Sequence, residues 1–367
     1  MSAPRLEIDL DKIEHNARTL VDRLALRSIS VTGITKSTLG SPHIAAALVR
    51  AGITSLGDSR IENIENMRRA NLSASMTLIR SPMPSQVDRV VAHADVSFNT
   101  ELETIRLLSA AAVKHDRLHG VVLMVELGDL REGILPADME AVVRGTLDLR
   151  GIVLNGIGTN LACRNGVSPD DSNMSELSAL ADSLEAAFGI QLDIISGGNS
   201  ANLDWAFGCE QPGRINNLRL GESLLLGCET LHRRPIDGLH TDAITLVAEV
   251  IESKIKPSQP WGTIAQNAFG ELAVANDHGN IAQAILAIGR QDIDPQGLRA
   301  PAGITIIDAS SDHLIVQCDS LPTVGTELPF QINYSALTRA MTSPFVDKRM
   351  IKQNTALPVR ESVPCIG

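Results

Sequence analysis

The sequence predicts an α/β protein with two parts, an N-terminal (β/α)8 TIM-type barrel and a C-terminal mainly-β domain. Three observations support this prediction. Short apolar segments alternate with segments of helical period, there are eight of these apolar segments, and the pattern changes after Cys228. Alternating strands and helices form a parallel sheet, and eight such strands close a barrel. A doubly wound open sheet is the structural alternative.

The eight predicted strands lie between residues 28 and 223, and most are rich in Val, Ile, Leu or Thr. In chain order they are SISVTGIT, ITSLGD, SMTLIR, ADVSFN, GVVLMVEL, IVLNGIGTN, LDIISGG and NLRLGES. Amphipathic segments separate them, as in SPHIAAALVRAG, TELETIRLLSAAAVKH and MSELSALADSLEAAFG. The last of these has apolar residues at helical spacing and a glycine at its end, which predicts a helix and its C-terminus.

Beyond Cys228 the chain consists of short β-rich runs separated by Gly, Pro, Asp and Asn, a pattern typical of a β domain. The runs are ITLVAEVIESKI, ELAVAN, QAILAIGR, GITIIDA, HLIVQC and ELPFQINY. We therefore assign residues 1–228 to the barrel and 229–367 to the β domain. The first strand, in about residues 1–12, is an alternative member of the β domain.

Charge and composition exclude several classes of function. The net charge is −11 and the sequence pI is about 5.3, so neither nucleic acid nor an anionic membrane is an expected partner. The N-terminus becomes charged at once and lacks the apolar region of a signal peptide, which predicts a cytoplasmic protein. The five cysteines form no CxxC pair and no Cys/His zinc spacing, so we expect free thiols and no metal site.

Catalytic residues of a TIM barrel belong at the carboxyl ends of its strands, and Lys36 ends the first one. A lysine at a strand end is commonly a side chain that extends its ammonium group into water. The alternative is a Schiff-base lysine, whose partly desolvated amine is easier to deprotonate.

The seventh strand leads into a small, glycine-rich loop. It contains Ser196, Gly197, Gly198, Asn199 and Ser200. Such a loop allows backbone N–H groups to approach a phosphate, and barrels often bind phosphate after strands seven and eight.

Two arginines and an asparagine occupy neighbouring strand ends. Arg219 lies in the apolar eighth strand, followed by Gly221 and Glu222. A buried charge needs a partner, so Arg219 either pairs with Glu222 or faces the barrel mouth and a ligand. Arg131 follows the fifth strand, where it could bind a carboxylate, and Asn160 ends the sixth.

Together these positions resemble the fold-type III pyridoxal-phosphate enzymes, specifically the alanine racemase family and its ornithine racemase-like branch. The similar segments are GITKSTLG, LGDSRIENIENMR, ELGDLREGI, GIGTNLAC, ISGGNSANL, RINNLRLGESLLLG, GRQDIDPQGL and SSDHLIV. The resemblance implies an amino-acid racemase that removes the α-proton of an amino acid joined to pyridoxal 5′-phosphate. It suggests ornithine, another diamino acid or alanine as the substrate.

The resemblance also implies a role for each strand-end residue. Lys36 would form the Schiff base with the cofactor, and Arg219 would face its pyridine nitrogen. Ser200 would bind the phosphate together with the backbone of residues 196–199 and Gly221. Arg131 would lie beside the substrate carboxylate, and Asn160 would contact the ring.

One position departs from the family pattern. Racemisation needs proton donors and acceptors on both faces of the planar carbanion, and alanine racemase uses a tyrosine of the partner subunit opposite the lysine. Here the corresponding segment, QNAFGE, places Phe269 at that position, and the sole tyrosine, Tyr334, lies far beyond it. Asp292 and His313 are our candidates for the second acid/base, with Asp312 and His278 also considered. Alternatively, Lys36 serves both faces alone, or the protein does not racemise.

A β domain that completes the site of a second chain implies a homodimer with shared active sites. Three other functions remain open. A non-enzymatic pyridoxal-phosphate carrier would lack the C-terminal domain. Another fold-type III enzyme would need further residue clusters: a Cys and Asp pattern in the β domain for a decarboxylase, which the sequence does not show, or a His/Cys pair for a zinc-assisted aldolase, for which the sequence gives only weak support. A sugar-phosphate TIM barrel is the alternative outside the family.

Overall fold

A computed structural model describes residues 3–270 and 277–351. The chain starts with strand β1 (Arg5–Asp9) and helix α1 (Leu10–Ala25). The next eight strands are β2 (Ser30–Ile34), β3 (Ser55–Asp58), β4 (Ser75–Leu78), β5 (Val96–Asn99), β6 (His119–Met124), β7 (Ile152–Gly158), β8 (Ile194–Gly198) and β9 (Asn217–Leu220). The predicted ELAVAN strand and Cys365 lie outside the described residues.

These eight strands confirm the predicted barrel. Each strand from β2 to β8 pairs in parallel with the next, and β9 pairs back with β2 to close the sheet. The carboxyl ends of all eight strands therefore lie at one rim, which is where a barrel presents its functional side chains. Seven of the predicted segments contain their strand in full, and the fifth, GVVLMVEL, misses only the first residue of β6, His119.

Helices connect the barrel strands and cover their outer face. They are α2 (Pro42–Arg50), α3 (Ile61–Arg69), α4 (Val87–His93), α5 (Leu102–Lys114), α6 (Met139–Leu147), α7 (Asp171–Phe188), α8 (Leu203–Gly208) and α9 (Glu222–Leu226). Helix α7 begins with a capping box of Asp170 and Asn173 and ends at Gly189, whose φ of 63° suits a left-handed cap. Over residues 3–270 and 277–351, no helix is both long and apolar enough to cross a membrane.

The C-terminal part confirms the predicted mainly-β domain. Its elements are β10 (Ile244–Pro257), β11 (Asn280–Leu286), β12 (Leu298–Arg299), β13 (Ile304–Ala309), β14 (Leu314–Cys318), β15 (Glu327–Ile332), α10 (Tyr334–Thr342) and β16 (Asp347–Ile351). Strand β1 joins this sheet, antiparallel to β10 and parallel to β16. Helix α10 returns to the barrel and packs on the turn that contains Lys36, so the C-terminal part contributes to the barrel mouth.

Candidate active site

Lys36 lies directly after β2, in a short 3-10 turn of residues Lys36–Thr38. Its neighbour Thr35 fixes this turn, because the Thr35 backbone N–H donates to Gly57 O (2.9 Å) and its hydroxyl donates to Asp58 Oδ2 (2.8 Å). The side chain opens into a recess at the barrel mouth, where it stays partly exposed but loses some of its hydration. This desolvation lowers the pKa of Lys36, and Arg131 and Arg219 lower it further. A larger fraction of the amine is therefore neutral and nucleophilic.

Arg219 is buried on β9, with 5% of its surface exposed. Its Nη1 donates to Ser196 Oγ (2.6 Å), and its Nη2 donates to Thr159 O (2.7 Å) and Asn160 Oδ1 (3.2 Å). The guanidinium carbon lies 5.0 Å from the centre of the Phe98 ring. Burial lowers the pKa of Arg219 to about 10, so the group stays charged at neutral pH. All of these partners are neutral, which leaves the cation without a counter-ion contact in the described chain.

The glycine-rich loop after β8 has an unusual backbone. Gly198 has a φ of 145°, and a Cβ placed there would lie 2.1 Å from Asn202 Oδ1. That same oxygen accepts the backbone N–H of Asn199 (3.0 Å), so this amide is already paired within the loop. The Ser200 Oγ lies 2.9 Å from Ser223 Oγ, in helix α9 directly after β9. The loop thus brings one hydroxyl group to the cavity wall, and a glycine at position 198 is required for its path.

Arg131 lies in the loop after β6 and forms an ion pair with Glu132. Burial alone would lower the pKa of Arg131, but the contact with Glu132 outweighs it and raises the pKa. Asp129 ties this loop to the one after β7 by accepting backbone N–H groups of Cys163 (3.1 Å) and Arg164 (2.9 Å). The two loops that contain Arg131 and Asn160 are therefore held together by a single carboxylate.

Two adjoining cavities surround Lys36, and both also contact Ile79, Asn160 and Arg219. The Tyr334 cavity is lined by Ile34, Lys36, Ser37, Ile79, Asn160, Ala162, Cys163, Asn199, Ser200, Arg219, Gly221, Glu222, Thr230, Arg233 and Tyr334. The Arg131 cavity is lined by Lys36, Ser59, Ile79, Arg80, Ser81, Met124, Arg131, Glu132, Asn160 and Arg219. Three of the predicted barrel residues, Ser196, Gly197 and Gly198, line neither cavity. The Ser196 hydroxyl instead accepts a hydrogen bond from Arg219.

Tyr334, Thr230 and Arg233 are among the residues of the Tyr334 cavity that sequence reasoning missed. Tyr334 begins α10, where burial raises the pKa of its hydroxyl to about 12 and a hydrogen bond with Ser37 partly opposes this. The one available signal was that Tyr334 is the sole tyrosine of the sequence. Nothing in the sequence indicated that α10 packs at the barrel mouth.

The candidates for the second acid/base lie elsewhere in the same chain. Asp292 accepts a hydrogen bond from Ser343 Oγ (2.6 Å), and His313 Nδ1 lies 2.9 Å from Asp312 Oδ1. Neither Asp292 nor His313 lines a cavity around Lys36. Phe269 is 44% exposed, with the Arg290 guanidinium carbon 4.5 Å from its ring centre, and it also lies outside both cavities.

Comparison with known proteins agrees with this geometry. The family profile described as "Alanine racemase, N-terminal domain" matches residues 8–228. The chain belongs to the alanine racemase family. It is 37% identical to an ornithine racemase of Acetoanaerobium sticklandii over 95% of this chain and 99% of that protein. It is also 37% identical to a lysine racemase of Thermotoga maritima over 95% of this chain and 98% of that protein.

Solved structures show the same fold. The alanine racemase of Streptomyces coelicolor superposes with a TM-score of 0.75 at 17% identity, covering 95% of this chain and 97% of that one. Alanine racemase-family enzymes such as this one are amino-acid racemases, and their cofactor is pyridoxal 5′-phosphate.

The residues present fit that cofactor. Asn160 Nδ2 and Thr230 Oγ1 are buried polar atoms without a hydrogen-bond partner among the described residues, and both residues line the Tyr334 cavity. Buried polar groups are normally paired, so these two indicate a missing ligand. The cavity also combines an amine for a Schiff base, at Lys36, with the uncompensated cation of Arg219. These groups are of the kinds that would bind the aldehyde, the ring nitrogen and the phosphate of the cofactor.

Three acidic residues, Glu222, Asp129 and Asp292, already have partners. Glu222 pairs with Arg233, not with Arg219, which decides between the two alternatives for Arg219 in favour of the barrel mouth. Asp129 is saturated by backbone N–H groups, and Asp292 is bonded to Ser343. Among residues 3–270 and 277–351, no group of three or more His, Cys, Asp or Glu side chains could hold a metal ion.

Proposed function

We propose that this enzyme racemises a diamino acid, ornithine or lysine, with Lys36 transferring the α-proton on one face. The observation that carries this proposal is the shared cavity of Lys36 and Arg219, in a chain similar along nearly its full length to an ornithine racemase and a lysine racemase. Alanine is the alternative substrate.

The roles of the residues follow from their charges. When bound, the cofactor supplies the electron sink that makes the substrate α-hydrogen acidic. Lys36 accepts that hydrogen, because its lowered pKa leaves the amine neutral at neutral pH more often than in water. Arg219 would face the ring nitrogen, where its retained charge would keep that nitrogen unprotonated. With its ring nitrogen unprotonated, the cofactor would be a weaker electron sink, which favours racemisation over transamination. Arg131 is positioned to bind the substrate carboxylate.

Racemisation also needs an acid/base on the second face, and we infer that a second chain provides it in a homodimer. The segment between β10 and β11 supports this inference, because it exposes Trp261 (83%), Ile264 (49%) and Phe269 (44%) to solvent. Asp292 and His313 remain the candidates. Mixing Lys36→Ala chains with Asp292→Asn or His313→Gln chains tests them, since only a shared site can regain activity in a mixed dimer.

Proton NMR in heavy water tests the function itself. The cofactor-loaded protein is incubated with L- and D-forms of ornithine, lysine and alanine, and both loss of the α-proton signal and inversion are followed. Exchange with inversion of ornithine or lysine supports the proposal. Exchange with inversion of alanine alone would show that alanine, and not a diamino acid, is the substrate. Exchange without inversion means that only Lys36 acts, and no exchange with any amino acid refutes the racemase.

A further inference from the structure

We propose that Arg233 binds the phosphate group of the cofactor and gives the Tyr334 cavity its selectivity for the phosphorylated form. The proposal rests on the proposed function, because it requires pyridoxal phosphate at Lys36. It adds a cationic side chain to a phosphate site that the sequence predicted from Ser200 and backbone N–H groups alone.

The loop that contains Arg233 is rigidly held. Glu229 is 3% exposed, and its carboxylate accepts the backbone N–H groups of Leu231 (2.6 Å), His232 (3.0 Å) and Arg234 (2.8 Å). Arg233 itself has a φ of 60°, a left-handed conformation that non-glycine residues seldom adopt. Such a conformation persists where the surrounding structure imposes it, and here the result is that the side chain of Arg233 reaches the cavity.

The wall around Arg233 has the chemistry of an anion site. Ser200, Thr230 and Tyr334 contribute hydroxyl groups to the same cavity. The Thr230 hydroxyl is buried and has no partner in the part of the chain that the structure describes, and the charge of Arg233 acts to lower the pKa of Tyr334. A phosphate offers three acceptor oxygens and about two negative charges, which matches several O–H donors beside one guanidinium.

The ion pair with Glu222 orients Arg233 without using all of its donors. Only Arg233 Nη1 contacts the Glu222 carboxylate, and Nε and Nη2 have no partner among the described residues. A guanidinium has five N–H groups in a planar fork, so it can hold a carboxylate on one edge and a phosphate on another. The Glu222 side chain is only 10% exposed, which anchors the pair at the cavity wall.

Equilibrium binding of two cofactor forms tests the proposal. The dissociation constants of pyridoxal phosphate and of pyridoxal, which lacks the phosphate, are measured by absorption for the wild type, Arg233→Gln and Arg234→Gln. Arg234 is the matched control, since its side chain is exposed to a similar degree (63% against 55% for Arg233) but does not line the cavity and pairs with Asp204 and Glu229. We expect Arg233→Gln to weaken pyridoxal phosphate binding about tenfold, the loss of one charge-assisted contact, and to leave pyridoxal binding within about threefold. Arg234→Gln should change neither constant.

Further variants separate this role from a structural one. Arg233→Lys keeps the charge and should recover part of the affinity. Glu222→Gln removes a negative charge from beside the phosphate, so it should leave binding unchanged or tighten it. Weakening of both cofactor forms by Arg233→Gln, or equal weakening by Glu222→Gln, would mean that the ion pair only maintains the loop and would overturn the proposal. Unchanged pyridoxal phosphate affinity in Arg233→Gln would overturn it too. If the wild type forms no Schiff base that Lys36→Ala abolishes, the proposed function fails instead.

Discussion

His119 should make this protein lose stability in mild acid. The residue begins β6, is fully buried, and contacts Ser97 Oγ through Nε2 (2.7 Å). Burial lowers its pKa from 6.5 to about 4. Between these values the unfolded chain binds a proton that the folded chain does not, so the free energy of unfolding falls as the pH falls.

The size of this loss follows from the two pKa values. At about 1.4 kcal/mol per pH unit, the full difference corresponds to about 3 kcal/mol, of which about 2 kcal/mol is lost between pH 7 and pH 5. Urea unfolding of the cofactor-free protein, followed by circular dichroism at one protein concentration, measures it.

Two variants isolate the contribution of His119. His119→Gln removes the titrating group, so its free energy of unfolding should fall about 2 kcal/mol less over the same pH range. His115→Gln changes an exposed histidine that pairs with Asp88 and serves as the control. Parallel pH profiles for the wild type and His119→Gln would refute this reasoning, whatever the absolute stability of the variant.

Three further predictions concern the candidate site. Lys36→Ala should abolish the Schiff-base absorption band and reduce α-proton exchange at least about 10³-fold, with an unchanged circular dichroism spectrum; a retained band would contradict the assignment. Arg219→Lys loses the planar fork that we propose faces the ring nitrogen, so it should slow racemisation and increase the pyridoxamine phosphate formed per turnover; an unchanged ratio of the two products would argue against that contact. Gly198→Ala forces a Cβ to within 2.1 Å of Asn202 Oδ1 and should weaken cofactor binding and destabilise the fold by about 1–3 kcal/mol, whereas Gly208→Ala, with open space around it, should do neither. Cofactor titration and thermal unfolding of both glycine variants check the last prediction.

The barrel was predictable because its signal is local. Each strand is a short apolar run, and the amphipathic segments between them have helical spacing, so periodicity alone located all eight strands. Lys36 and Arg219 were predictable for a related reason, since a charged residue at the end of a buried strand is conspicuous in the sequence.

Contacts between distant segments were not predictable in this way. Helix α10 packs on the Lys36 turn, which brings Tyr334 into one cavity with Lys36, a residue almost 300 positions earlier in the chain. The pairing of β1 with both β10 and β16 is a similar case, because no local pattern names the partner of a strand. The Glu222–Arg233 ion pair depends on the left-handed backbone at Arg233, which composition does not reveal.

The sequence by itself determined the elements, their order and the residues at the strand ends, because strand and helix periodicity are properties of neighbouring residues. The tertiary structure decided which side chains share a cavity with Lys36, which acids are already paired, and which buried polar atoms lack a partner. Those facts depend on closure of the barrel and on the docking of α10, where the packing of distant segments fixes the distances between functional groups.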